Sequence, residues 1–159
     1  MHYKFLGPGR YGVLSGFQWP LGEWVHARGP LLSGVNGIHG CRISDLPYWV
    51  GEVCWMLELS GAVLECERTV VASRGHLLEP VRAWNPDAQR EFTAACAARN
   101  RGFGPAEADA GWVPCAGAAY IAAHAAGVEA SRAGRAYEDG FTQERAWQAA
   151  WLAERLGLS

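Results

Sequence analysis

The sequence predicts an α+β protein, with a mainly antiparallel β-sheet in its N-terminal part and C-terminal α-helices packed on that sheet. Two observations carry this. Short apolar runs, rich in aromatic and β-branched residues and broken by Gly and Pro, fill residues 1–84, whereas an alanine-rich tract of helical periodicity fills residues 85–159. Half of the 159 residues are hydrophobic and eight are tryptophan, enough apolar surface for both parts to form one compact domain.

Residues 3–6 read as the first strand. Residues 7–16 hold four glycines and Pro8, a turn-rich loop. Pro20 favours extended backbone just before it. Residues 23–27 alternate weakly as a short strand, and residues 38–41 form another. Ser44 or Asp45 caps a short helix over residues 46–50, with Pro47 in its first turn. Ser60-Gly61 is a two-residue turn signal between residues 53–59 and 62–66, and Ser73-Arg74-Gly75 separates residues 70–72 from 76–81, so two hairpins are expected. Val53, Trp55, Leu57 and Leu59 fall on one strand face and Cys54, Met56 and Glu58 on the other, which predicts a central strand covered on both sides at its start. The sheet comes to about five or six strands.

Asn85-Pro86-Asp87 opens a helix, with Asn85 as cap and Pro86 at the first helical position. Phe92, Ala95, Cys96 and Ala97 give it an apolar stripe, and Asn100-Arg101-Gly102 closes it. Residues 104–111 read as a loop and residues 114–126 as an alanine-rich helix with Tyr120 and Ile121. Thr142 is expected to cap the last helix, in which Trp147 and Trp151 lie one turn apart beside Leu152 and Leu156. Trp147, Trp151 and Leu152 are the expected contact with the sheet.

Composition removes several classes. Net charge is −2 and the basic residues are scattered, which argues against a nucleic-acid surface. No apolar run approaches the ~20 residues that span a bilayer. The N-terminal residues contain no long apolar stretch of a signal peptide, so a cytoplasmic protein is expected. The five cysteines are odd in number and none are spaced C-x-x-C, which argues against a disulfide framework and excludes a zinc ribbon. Most are expected as small buried hydrophobes.

The residues richest in chemistry lie in Gly37-Ile38-His39-Gly40-Cys41-Arg42, followed by Tyr48 and Trp49. Positions i and i+2 of a strand share a face, so His39 and Cys41 can act as a base and a thiol nucleophile. In an enzyme of this kind His39 is the general acid/base, Cys41 the nucleophile or a supporting donor, and Tyr48 orients the substrate. Trp49, Arg10, Trp19 and Trp24 are the candidate substrate-binding residues of a small-molecule pocket. His39 and Cys41 are only two ligands, and the spacing demands no third from His26, His76, Cys54 or Cys66, so no metal is assigned. The loop at Gly7-Pro8-Gly9-Arg10 lacks the phosphate-loop pattern, although Arg10 can hold an anion. Whether the chain is an enzyme, and with which cofactor, stays open. The competing class is a non-catalytic module that forms a homodimer through Ala118, Ala122, Ala125 and Trp147.

Tyr3-Lys4-Phe5-Leu6, Ser15-Gly16-Phe17-Gln18-Trp19-Pro20, Gly37-Ile38-His39-Gly40-Cys41-Arg42, Asp45-Leu46-Pro47-Tyr48-Trp49 and the closing Ala149 to Leu158 resemble a family of small actinobacterial proteins of unknown function. The Gly-Ile-His-x-Cys core is also similar to that of small phage proteins. This resemblance implies a bacterial, cytosolic protein and carries no activity with it. A shorter set, His26, Gly37-Ile38-His39, Tyr48 and the strand ending at Glu58, resembles ADP-ribosyltransferases of the His-Tyr-Glu type. It implies a split antiparallel sheet gripping NAD, with His26 or His39 near the ribose and Tyr48 on the nicotinamide. It also implies an inward carboxylate at Glu58 or Glu67; Glu65 competes for that role, and the family's aromatic after Gly-Ile is here His39.

Overall fold

The computed structural model describes residues 1–99 and 112–159. The chain divides into two compact units, Met1–Arg82 with Ser159, and Ala83–Leu158. The fold class is α+β. The first unit carries five strands, β1 (His2–Leu6), β2 (Trp24–His26), β3 (Ile38–Gly40), β4 (Val53–Glu65) and β5 (Val70–Pro80), and every pairing is antiparallel.

The order β1-β4-β5-β2 is extended by β3, which also pairs with β5. β3 takes residues 70–72 of β5 and β2 takes residues 74–76, so the two lie end to end along one edge. The sheet then closes on itself. Tyr3 N–H donates to Cys41 O at 2.9 Å and Cys41 N–H to Tyr3 O at 2.8 Å. β1, β4, β5 and β3 therefore follow one another round a small ring, which leaves fewer open strand edges. Its interior is filled by Leu6, Trp19, Ile38, Trp55, Leu57 and Leu77, with Val25, Ala27, Val53 and Leu59 packed against them. As the alternation predicts, β4 is central, and Cys54, Trp55 and Leu57 at its start are buried although they point to both faces.

The two expected hairpins are one. β4 runs straight through Ser60-Gly61, and the chain reverses only after Glu65, where Cys66 N–H donates to Thr69 O at 3.0 Å. Gly61, at φ 81°, sits in a bulge where the register shifts between Ser60 and Val63. Gly75 is a strand residue because a Cβ there would collide with Ile38 across the ring. Both glycines that resemble turn signals thus serve a bulge and a close approach. A short 3-10 turn (Ile43–Asp45) leads into α1 (Leu46–Trp49) with Pro47 in its first turn, close to the expected short helix.

The second unit holds α2 (Pro86–Arg99), α3 (Trp112–Arg132) and α4 (Tyr137–Leu156). Asn85 caps α2 as expected, its Oδ1 accepting from the N–H groups of Asp87 and Ala88, both at 3.0 Å. The expected stop at 100–102 and loop at 104–111 lie outside the described residues. α4 begins at Tyr137 rather than at Thr142, which is exposed within the helix. Gly140 explains the difference: a Cβ there would strike the Ala126 carbonyl of α3, so this glycine lets two helices touch instead of ending one. Ala118, Ala122 and Ala125, the expected dimer face, are already buried within the chain. Gln148 of α4 also donates to Ala119 O of α3 at 2.8 Å, so this small-residue surface is used internally. Within this unit the Trp151 ring lies 5.2 Å from that of Phe92, and the Arg99 guanidinium sits 4.0 Å over Trp147. Among the described residues no helix is long and apolar enough to cross a membrane.

Candidate functional site

The segment around His39 and Cys41 is fully engaged with backbone. Gly34 N–H donates to His39 Nε2 at 2.9 Å, so Nε2 must accept and Nδ1 carries the proton that faces Gly37 O at 3.0 Å. The imidazole is therefore neutral and pins residues 34–37 to β3. Burial, together with the nearby Lys4 charge, holds His39 below the usual imidazole range. Cys41 is buried at the ring closure, and its thiol donates to Tyr3 O at 3.2 Å. Burial, with the Asp45 carboxylate adding to it, pushes that thiol up to about 12, far from a reactive thiolate. Imidazole and thiol address different backbone groups.

The rest of the segment holds the β4–β5 turn. Arg42 donates from its backbone N–H and its Nε to Asp45 Oδ2, at 3.1 and 2.7 Å. Its Nη1 reaches Glu65 Oε2 at 2.9 Å and its Nη2 reaches Cys66 O at 2.7 Å. Thr69 Oγ1 donates to Gly40 O at 2.8 Å. The Arg68 guanidinium lies 4.5 Å over the Tyr48 ring, and Trp49 Nε1 donates to Arg68 O. Tyr48 and Trp49 thus meet the hairpin turn.

Trp24 lies on the outer face of the sheet. It stands in one cross-strand row with His76 and Glu58, while His26, Arg74 and Ser60 form the next row on the same face. Its ring is 5.4 Å from that of His76, and the Arg74 guanidinium lies 5.6 Å over it. Glu58 is 53% exposed and 3.8 Å from His76 Nδ1. The inward acid implied by the transferase resemblance is therefore not at Glu58, because Leu57 and Leu59 occupy the inward positions on either side. Glu67 is exposed too. Among the described residues no three His, Cys, Asp or Glu side chains come together as a metal site.

The remaining two candidates, Arg10 and Trp19, converge on a residue that the chemistry-bearing motif does not include. Lys4 is directly opposite Trp55 in the β1–β4 register and shares the inward face with Leu6. Its amine donates to His39 O at 2.8 Å and lies 5.1 Å from the centre of the Trp19 ring. Burial pulls it from 10.5 to about 8. Trp19 is held in place by Arg10, whose O accepts Trp19 N–H at 3.0 Å and whose Nε donates to Trp19 O at 2.9 Å. Arg10 is also the one non-glycine of the described residues at positive φ, 66°, a strained conformation of the kind that collects at functional sites. The Trp55 indole N–H is buried and makes no hydrogen bond among the described residues. A signal was present in the sequence: Lys4 is the only lysine in the chain, against thirteen arginines, and it occupies an alternate position of a strand that starts the fold.

Two different assemblies thus surround β3: a saturated clamp made of His39, Cys41, Arg42, Tyr48 and Trp49, and an amine with aromatic walls made of Lys4, Trp19 and Trp55. No protein-family model matches the chain, and neither a curated protein nor a solved structure matches it.

Proposed function

We propose that the β-rich unit binds a small organic molecule through Lys4, with a carboxylate or carbonyl oxygen directed at the amine and an apolar or aromatic body against Trp19 and Trp55. The observation that supports this is an inward amine whose partner in the strand register, Trp55, carries a buried indole N–H that has no acceptor of its own. A buried donor left unpaired costs about 1–3 kcal/mol, and a ligand oxygen would relieve it. Most ligand pockets have this composition, largely apolar walls with a few placed polar groups. On this reading His39 and Cys41 set the position of the site without reacting. The protein is then a cytosolic bacterial binding protein similar to the actinobacterial family it resembles, with a small molecule rather than a nucleic acid as its ligand.

Thermal-shift measurements with benzoate, 4-formylbenzoate, nicotinate, NAD and nucleotides test the proposal. A true ligand at a hundred times its dissociation constant stabilises by about 2.7 kcal/mol. The shift should vanish in Lys4→Met and persist in Trp24→Ala, which alters the outer face. No shift with any of these compounds at millimolar concentration would remove the proposal.

A further inference from the structure

We infer that Lys4 captures the carbonyl carbon of an aldehyde ligand as a reversible imine. The inference rests on the binding reading above and names the class of ligand. An anion alone does not require lysine. Elsewhere in this unit Arg42 holds two carboxylates, and of the fourteen Lys and Arg residues of the chain only Lys4 is lysine. Arginine stays protonated and forms no imine, whereas a buried lysine can lose its proton.

The geometry suits attack on a carbonyl. A neutral Lys4 amine has two N–H groups and one lone pair. Its bond to His39 O uses one N–H and fixes the direction of the side chain, so the lone pair stays available. The Trp19 ring walls the amine on one side, and Trp55, opposite Lys4 in the β1–β4 register, carries a buried N–H with no acceptor. That N–H is the donor for the carbonyl oxygen as charge develops on it. The amine's titration at about 8 supplies neutral nitrogen near physiological pH. Cys41, its thiol held up at about 12, does not compete for the aldehyde.

The step balances without oxidant or reductant. The Nζ lone pair forms a C–N bond to the carbonyl carbon while the C=O π pair moves to oxygen. A proton passes from nitrogen to that oxygen, giving a carbinolamine. The nitrogen lone pair then forms the C=N bond as the hydroxyl departs with the second nitrogen proton as water, so aldehyde and amine become imine and water.

The chain has two primary amines, Lys4 and its α-amino group, which makes the test direct. The full protein is incubated near neutral pH with 4-formylbenzoate and sodium cyanoborohydride, and the adduct is located by peptide mass mapping. Lys4 should be modified at least about tenfold faster in the folded protein than in urea, since only the folded amine is depressed. Lys4→Arg should retain adduct only at the α-amino group. Adduct confined to that group in the wild type, or equal rates at Lys4 with and without urea, would overturn the inference. A parallel arm with benzoate separates the two proposals. Stabilisation by benzoate with no Lys4 adduct overturns imine capture and spares the binding reading, whereas neither stabilisation nor adduct overturns both.

Discussion

β1 and β3 are neighbours in the ring, joined at Tyr3 and Cys41, and each brings polar side chains into a partly buried setting. β3 saturates them. Both ring nitrogens of His39 and the thiol of Cys41 end on backbone groups. β1 does not. Lys4 has one carbonyl partner and an aromatic face, and the indole opposite it has no acceptor. The difference separates architecture from chemistry. A buried polar group whose bonds are complete rigidifies the fold, and one whose bonds are incomplete is costly unless something else completes it.

The largest way to break this contrast is to unseat β3. Gly37 enters the strand at φ 131°, and a Cβ there would collide with Val71. Gly37→Val combines overpacking with an unfavourable backbone and should cost about 3 kcal/mol or more in urea unfolding. A loss under 1 kcal/mol would show that β3 is not the rigid wall described.

His39→Ala should come next, at about 1–2 kcal/mol, by freeing Gly34 N–H and Gly37 O. The wild type should also weaken in mild acid. Since the folded imidazole lies below its ordinary 6.5, the unfolded chain binds the proton first as pH falls. Stability then drops through the range just below 6.5, and His39→Ala should lessen that slope in denaturation curves, the remainder coming from His2, whose imidazole burial also holds low.

Lys4→Met should change stability at neutral pH by less than about 1 kcal/mol, because the loss of one hydrogen bond offsets the relief of a desolvated charge. Its mark is the alkaline slope. Between about 8 and 10.5 the unfolded chain keeps a proton that folded Lys4 has released, so the contribution of Lys4 to stability rises with pH there, and the wild type should show that rise just above pH 8. Cys41, Cys54, Cys96 and Cys115 act oppositely above about 9.0, their thiols being held up by burial in the fold, so the comparison is cleanest just above pH 8. Lys4→Met should lack the rise. The smallest effect is on thiol labelling. Cys66, partly exposed, should react before buried Cys41, and the reverse order would return Cys41 to the list of reactive groups.

Much of the fold was legible because it is local. Alternation located the strands, and Asn85-Pro86-Asp87 marked the start of α2. What escaped was non-local. Glycine in a strand signals a turn, a bulge or a close approach with the same letter, and only Ile38 across the ring decides for Gly75. The ring closure depends on Tyr3 meeting Cys41, 38 positions away, which no periodicity encodes. The candidate site was misweighted for a related reason. His39 and Cys41 attract notice as residue types, but their reactivity depends on whether Gly34, Gly37 and Tyr3 backbone groups have claimed their atoms. Arg10 and Trp19 stood in the sequence as separate binding candidates; the structure joins them by hydrogen bonds and sets the Trp19 ring beside Lys4.

The titration of Lys4 tests the central claim most directly. With a single lysine in the chain, selective isotopic labelling yields one side-chain amine signal, and its NMR shift can be followed with pH in the folded protein. A midpoint near 8, returning to the ordinary 10.5 on unfolding, is the expected result. A folded midpoint of 10.5 would place the amine in water and contradict the account.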